Sequence, residues 1–330
     1  MAGNSDQVMA SLERYFQPTL AFAAVLALAV TQYAILIIYM VGGSPDFVFG
    51  GDFIAFWAAA RETLAGGLQG LYTPDGLETA IAAHRPQVDD AGLTWQYPPH
   101  ASLIFSPIGY LPYGLAYALW CGLGLAGFTA MLILSGLRGR FLIAALATIP
   151  VLTALNTGQN ALFTATLLMV AVRYAKSKPI MAGLAAAVLT IKPQLGLLLP
   201  VVYLAGGHWR AFYAAAIISL ILWCLSAVAL GPAAWTAFFV AVGSVSGSVS
   251  EGVMPLFKMV NVYAAARLLS VPEAIALALA GSTLLISIGA VVWICRRSKD
   301  WQMRYAVIAC ATLLSAPYSM YYELVILVPA

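Results

Sequence analysis

Gly50-Gly51-Asp52-Phe53-Ile54-Ala55-Phe56-Trp57 heads a polar, acidic stretch that closes with Trp95-Gln96-Tyr97-Pro98-Pro99. The sequence around it is lipid-loving: 62% of residues are apolar, only 9% are charged, and the mean hydropathy is +0.90. Soluble chains carry about 25% charged residues. Runs of about 20 apolar residues recur, each long enough to cross a hydrocarbon core of about 30 Å. Residues 42–100 therefore read as a long, structured loop presented at one membrane face by helices on either side. Binding and catalysis concentrate in such loops. The fold expected is an all-α polytopic membrane protein whose first external loop carries interfacial helices.

Working outward, the first span is expected over 19–41, and a Pro-rich entry at 98–112 leads into a second ending near Leu137. Four short segments follow, at about 141–155, 160–174, 180–191 and 194–205, and longer ones run 211–230, 273–295 and 303–316. A tenth begins near Glu323 and breaks off at Ala330, so the sequence reads as a piece of a longer chain. Residues 1–18 are polar and precede a long apolar run, which fits a cytoplasmic segment rather than a cleaved signal peptide. A single transmembrane domain over 19–330, with outer loops at 42–100 and 231–272, is expected. With the N-terminus inside, the inner segments hold eleven of the sixteen basic residues against three acids, a net of +8. The outer segments hold five basic residues against ten acids, a net of −5. Cytoplasmic loops carry the excess of Lys and Arg. The expected location is the plasma (inner) membrane, with Asp52 facing the periplasm or exterior.

The short segments are interrupted at Asn156-Thr157-Gly158-Gln159-Asn160 and Ile191-Lys192-Pro193-Gln194. Such breaks leave helix ends inside the bilayer, tolerated only where protein or a water-filled recess satisfies them. Asp52 begins a helix after two glycines. It is either an N-terminal cap or a general base that takes a proton from an attacking hydroxyl. That helix, with Phe53, Phe56, Trp57 and Ala60 on one face, is expected to lie in the interface. Burying the charge of Lys192 costs about 2.5–3.5 kcal/mol on insertion scales. Lys192 either snorkels at a helix end or faces the recess to hold a lipid-linked phosphate, with Gln159 at similar depth as a donor. Lys258 and Arg267, on the second outer loop, are further phosphate candidates. Glu323 either faces the recess or pairs with a lysine. Tyr72, Trp95 and Tyr97 read as interfacial anchors or as platforms for a sugar ring, and His100 as a polar residue at the membrane surface. Cys121, Cys224, Cys295 and Cys310 are far apart in apolar segments and read as small buried hydrophobes, not as a disulfide or zinc framework. The acids do not stand at metal-ligand spacing, so no metal or other cofactor is expected.

In order, the Gly-Gly-Asp-Phe opening, the Leu71-Tyr72 step, the Tyr97-Pro98-Pro99 entry, Gly158-Gln159-Asn160, Lys192-Pro193-Gln194 and Pro317-Tyr318-Ser319 resemble glycosyltransferase family 87. The likeness runs over about residues 50–330. It implies a GT-C superfamily fold, in which a multispan bundle supports an outward active site under the first external loop. It also implies transfer of a hexose, mannose in characterised relatives, from a polyprenyl-phosphate donor to a lipid or glycan acceptor. By position, Asp52 is similar to the family's first-loop aspartate, assigned as catalytic base. Lys192 is expected to meet the donor phosphate, helped by Gln159, Lys258 or Arg267, with Glu323, Tyr97 and Tyr72 lining the substrate site. Some members carry a histidine near the last conserved segment, where this sequence has Tyr321, Tyr322 and Glu323. The partners implied are the lipid-linked sugar donor, the acceptor and membrane lipids, without nucleic acid. A transporter or flippase is the competing reading, because broken helices with Lys192 and Glu323 suit that class too.

Overall fold

The computed structural model describes residues 50–86, 88, 93–250 and 256–330. The expected first span at 19–41 and the segment 1–18 lie outside the described residues, as do residues 42–49. Among those described, every regular element is helical apart from one isolated bridge, Met259 to Met320.

The stretch after Asp52 forms α1 (Phe53–Ala65), closed by Gly66 in the left-handed conformation. A 3₁₀ turn (Leu68–Tyr72) leads to α2 (Gly76–His84), and Pro99 starts α3 (Pro99–Phe105). A second 3₁₀ turn (Ser106–Tyr110) precedes α4 (Tyr113–Leu134). The expectation of an amphipathic α1 with a single buried face is not met. All eight residues from Phe53 to Ala60 are buried. Aromatic rings surround the helix: Phe53 packs on Tyr113, Tyr117 and Trp120, and Phe56 on Trp95, Tyr97, Phe105 and Trp120. Trp57 Nε1 donates to Leu111 O at 2.9 Å, which ties α1 to the entry of α4. A helix apolar on every side belongs in a core, not on an interface.

With 22 residues and a rise of about 1.5 Å each, α4 is long enough to cross a bilayer. So are α11 (Trp209–Leu230) and α14 (Glu273–Arg297). Between them the segments are broken or short. α5 (Gly139–Leu146) and α6 (Ile149–Thr157) meet at a 50° bend and together make a fourth candidate span. α7 (Ala161–Arg173) has 13 residues, about 20 Å of helix. α8 (Pro179–Val188) runs into a 3₁₀ turn (Leu189–Ile191), and α9 (Pro193–Gly196) and α10 (Leu199–Ala205) follow. α8 crosses α11 closely at Gly183, where an added Cβ would stand 2.5 Å from that of Ala214, the small-residue contact expected in lipid. The segment 231–272, expected as an outer loop, is not simply a loop. It holds α12 (Pro232–Ser250) and α13 (Val262–Leu268). α15 (Trp301–Ser315) completes the bundle, and the tenth span expected from Glu323 is instead a 3₁₀ turn, Tyr321–Leu327, packed on α6, α7 and α15.

One core is centred on α7 and a second on α1. Apolar side chains such as Leu220, Val228, Leu285 and Ile286 point outward from α11 and α14, as lipid-facing residues do. The chain is an all-α, multi-pass membrane protein. The segments assigned by charge to a common side do meet. Gln302 Nε2 donates to Ser135 O at 2.9 Å, and the Arg173 guanidinium lies 4.6 Å from the Trp301 ring. Arg304 donates to Cys295 O at 2.8 Å and to Ser298 O at 2.7 Å, with His208 Nε2 at 3.4 Å. The breaks at 156–160, 189–193 and 316–320 gather instead beneath the α1 core.

Candidate active site

Each break presents a polar side chain because its sequence cannot continue a helix. At the first, Gly158 takes φ +65°, and Gln159 N–H bonds back to Ala154 O at 3.0 Å, a C-terminal cap that glycine permits. The freed carbonyls are satisfied from α4: Trp120 Nε1 donates to Gly158 O at 3.0 Å and Tyr117 Oη to Leu155 O at 2.5 Å. The glycines also allow α1 to dock there. A Cβ on Gly158 would stand 2.5 Å from that of Phe53, and one on Gly50 (φ +90°) would be 2.6 Å from the Tyr117 ring. This close approach brings Asp52 to Gln159, whose Nε2 donates to Asp52 Oδ2 at 2.6 Å. Asp52 occupies the cap position of α1, yet its carboxylate makes no cap bond to that helix. Gly158→Ala should separate the two elements, lowering the thermal midpoint by the equivalent of about 1–3 kcal/mol and transfer activity with it. An unchanged midpoint and activity would show that the close contact is dispensable.

The second break follows from Pro193, which has no N–H and disfavours a helical residue before it. Lys192 accordingly has φ −127° and ψ 78°. Its Nζ lies 2.5 Å from Glu323 Oε1, 5.1 Å from the centre of the Tyr322 ring and 5.8 Å from that of Tyr97. Lys192 is 6% and Glu323 3% exposed, so this is a buried ion pair with cation–π contacts. Of the two roles the sequence left open for Glu323, the pairing with a lysine is present in the structure.

At the third break Asn261 acts as a staple. Its Oδ1 caps α13 by accepting from Ala264 N–H at 2.8 Å, while Nδ2 donates to Ala316 O and Pro317 O at 3.1 Å each. Val260 N–H donates to Ser319 O at 2.9 Å. Asn261→Asp keeps the cap and removes both donors. We expect it to cost about 1–3 kcal/mol of stability and to loosen the turn that carries Glu323, read as faster amide exchange over 316–323. Exchange equal to that of the unmodified protein would refute the staple.

Tyr97 joins these parts. Asn160 Nδ2 donates to Tyr97 Oη at 3.2 Å, and Tyr72 Oη donates to Tyr97 O at 2.7 Å. Burial, then the charge of Glu323, push the Tyr97 phenol well above its ordinary pKa, so it is a neutral hydroxyl. Tyr318 lies in the fields of Lys192, Glu323 and Asp52, and burial foremost moves it up to about 12.

The structure thus gathers Asp52, Gln159, Tyr97, Lys192 and Glu323, with Tyr72 one layer behind Tyr97. Lys258 and Arg267 are not brought into this group. Lys258 is exposed with its ammonium over the Phe257 ring, and Arg267 donates to Val271 O at 2.8 Å, beyond the end of its own helix. His100, expected as a polar residue at the membrane surface, is enclosed by protein. It is buried, 3.0 Å from Thr190 Oγ1 and stacked on Trp235. The four cysteines are free, and Cys224 and Cys310 are exposed rather than buried. Asn160, Tyr318 and Tyr322 were not singled out from the sequence. Asn160 ends the first break and Tyr318 sits within Pro317-Tyr318-Ser319, so both had a local signal; Tyr322 had little beyond its neighbour Glu323.

The sequence model of glycosyltransferase family 87 matches residues 95–317, more than half of the chain. The chain belongs to glycosyltransferase family 87. Comparison with curated proteins and with solved structures gives no match. As a family 87 protein it is a membrane glycosyltransferase, acting on a sugar donor and an acceptor, and the transporter reading falls away. The family 87 match contains Tyr97, Gln159 and Lys192, while Asp52 and Tyr72 precede it and Glu323 follows it.

Proposed function

We propose that this glycosyltransferase moves a hexose, mannose by family resemblance, from a polyprenyl-phosphate donor to a lipid or glycan acceptor, with inversion. The observation that carries the reading is the placement of the Asp52 carboxylate. It makes no cap bond to its own helix and is linked through Gln159, its neighbour Asn160 and Tyr97 to the buried ammonium of Lys192. Asp52 takes the proton of the acceptor hydroxyl as that oxygen bonds to the anomeric carbon. The bond from that carbon to the phosphate oxygen breaks, and polyprenyl phosphate leaves with the electron pair. A phosphate needs no general acid, so the protein's task at the leaving group is cationic stabilisation, which Lys192 is placed to supply. No step calls for a metal or other cofactor.

The charge asymmetry supports a cytoplasmic N-terminus and a site facing the periplasm or exterior, on one transmembrane domain over 19–330. A reporter fused near Gly70 should be external; a cytoplasmic signal would refute that orientation. The test of the reaction is incubation of membranes carrying the protein with labelled polyprenyl-phosphate mannose. Label should pass to a new acceptor with inverted anomeric configuration. Label that stays on the carrier lipid, or transfer only from a nucleotide sugar, defeats the proposal.

A further inference from the structure

Three oxygens in the Asp52–Lys192 region are buried and have no hydrogen-bond donor: Gln159 Oε1, Asn160 Oδ1 and Glu323 Oε2. All are acceptors. The orientation of Gln159 is dictated by Asp52, whose carboxylate only accepts and so draws the NH₂ end. Glu323 carries its charge beside Lys192, which occupies only Oε1. Folded proteins leave few buried polar atoms unpaired, because each costs its desolvation.

These three belong to one connected group. Gln159 and Asn160 are neighbours, Asn160 reaches Tyr97, and Lys192 lies over the Tyr97 ring while bonding Glu323. The Glu323 turn itself packs against α6 and α7, the helices on either side of Gln159 and Asn160. What satisfies such a group must bring hydrogens. An ionised phosphate brings none and a polyprenyl chain brings none, whereas each hydroxyl of a sugar brings one.

We propose that Gln159 Oε1, Asn160 Oδ1 and Glu323 Oε2 form the hexose subsite and that Glu323 is its specificity-determining residue. The subsite rests on the hexose-transfer reading above and adds which groups hold the sugar. Lys192 then serves two anions at once: it keeps Glu323 Oε1 and meets the donor's phosphate, while Glu323 Oε2 accepts from a sugar hydroxyl. The three oxygens are covered by protein, so admission of the sugar requires that cover to open.

The test uses the full chain in membranes and polyprenyl-phosphate hexoses whose 3-, 4- or 6-hydroxyl is replaced singly by hydrogen or by fluorine. Each is read by competition against unmodified labelled donor. Fluorine accepts weakly and cannot donate, so hydroxyls held by acceptor oxygens should lose equally on either replacement, by about tenfold to a hundredfold. In Glu323→Gln, which keeps an oxygen for Lys192 and puts an NH₂ at the other position, one hydroxyl must accept where it donated, so at that position the fluoro donor should overtake the deoxy one. Polyprenyl phosphate without a sugar should still compete in that variant. Fluoro donors that compete better than their deoxy counterparts at all three positions mean that protein donors read the sugar, and overturn the subsite. Fluoro and deoxy donors that still lose equally at all three positions in Glu323→Gln overturn it as well. Should that variant fail to fold, the analogue series on the unmodified protein decides alone. Hexose transfer without hydroxyl selectivity sinks the subsite only; absence of transfer from every polyprenyl-phosphate hexose sinks the reading beneath it too.

Discussion

Asp52→Asn is expected to lower hexose transfer by about 10²–10⁴, the usual contribution of a positioned general base, while leaving expression and membrane insertion intact. The asymmetry follows from the geometry. Asparagine has the same shape, and its Oδ1 can still accept from Gln159 Nε2, which bonds the native carboxylate at 2.6 Å. The carboxylate makes no cap bond to α1, so the helix loses no cap. Only the capacity to take a proton disappears. Competition by the intact donor should therefore be preserved, and the loss should fall on turnover. Full turnover by the asparagine variant would remove the carboxylate from the chemistry, and a collapse of expression would recast Asp52 as a structural residue.

Lys192→Met should affect both stability and catalysis. The lysine shares its burial with Glu323, and removing one member of such a pair costs about 3–5 kcal/mol because the other charge is left without compensation. Transfer should fall by about a further 10²–10³, the usual effect of deleting one stabilising donor at a developing negative charge. The two effects separate in the double variant Lys192→Met with Glu323→Gln. Replacing both charges restores most of the stability but none of the phosphate contact, so expression should recover while donor use stays poor. Recovery of donor use in the double variant would show that the ion pair is purely structural.

Most helical segments from α4 to α15, though not α12 and α13, could be read from the sequence because its interruptions are written in residue types that forbid a helix. Pro193 and Gly158 mark breaks where the backbone leaves helical geometry. α1 was misread for an equally physical reason. Phe53, Phe56, Trp57 and Ala60 fit one face of an interfacial helix, yet the residues between them are apolar too. The rings that bury the other side come from Tyr113, Tyr117 and Trp120, far along the chain. Within the site, Asp52, Gln159 and Lys192 were visible as polar residues at helix breaks. The partnership of Lys192 with Glu323 spans 131 positions, and local pattern carries no information on such a pairing. Charge sign nominated Lys258 and Arg267 alike, but sign alone does not say whether a side chain turns inward, and both stay outside the cluster.

The Tyr321–Leu327 turn lies beyond the segment that matches the family and brings in the carboxylate next to the lysine. Asp52 and Lys192 are anchored elsewhere, on the opening helix and on the proline break. On the proposed subsite, grafting those seven residues between members would alter sugar selectivity while Asp52 keeps its place, provided that the incoming turn again supplies a partner for Lys192.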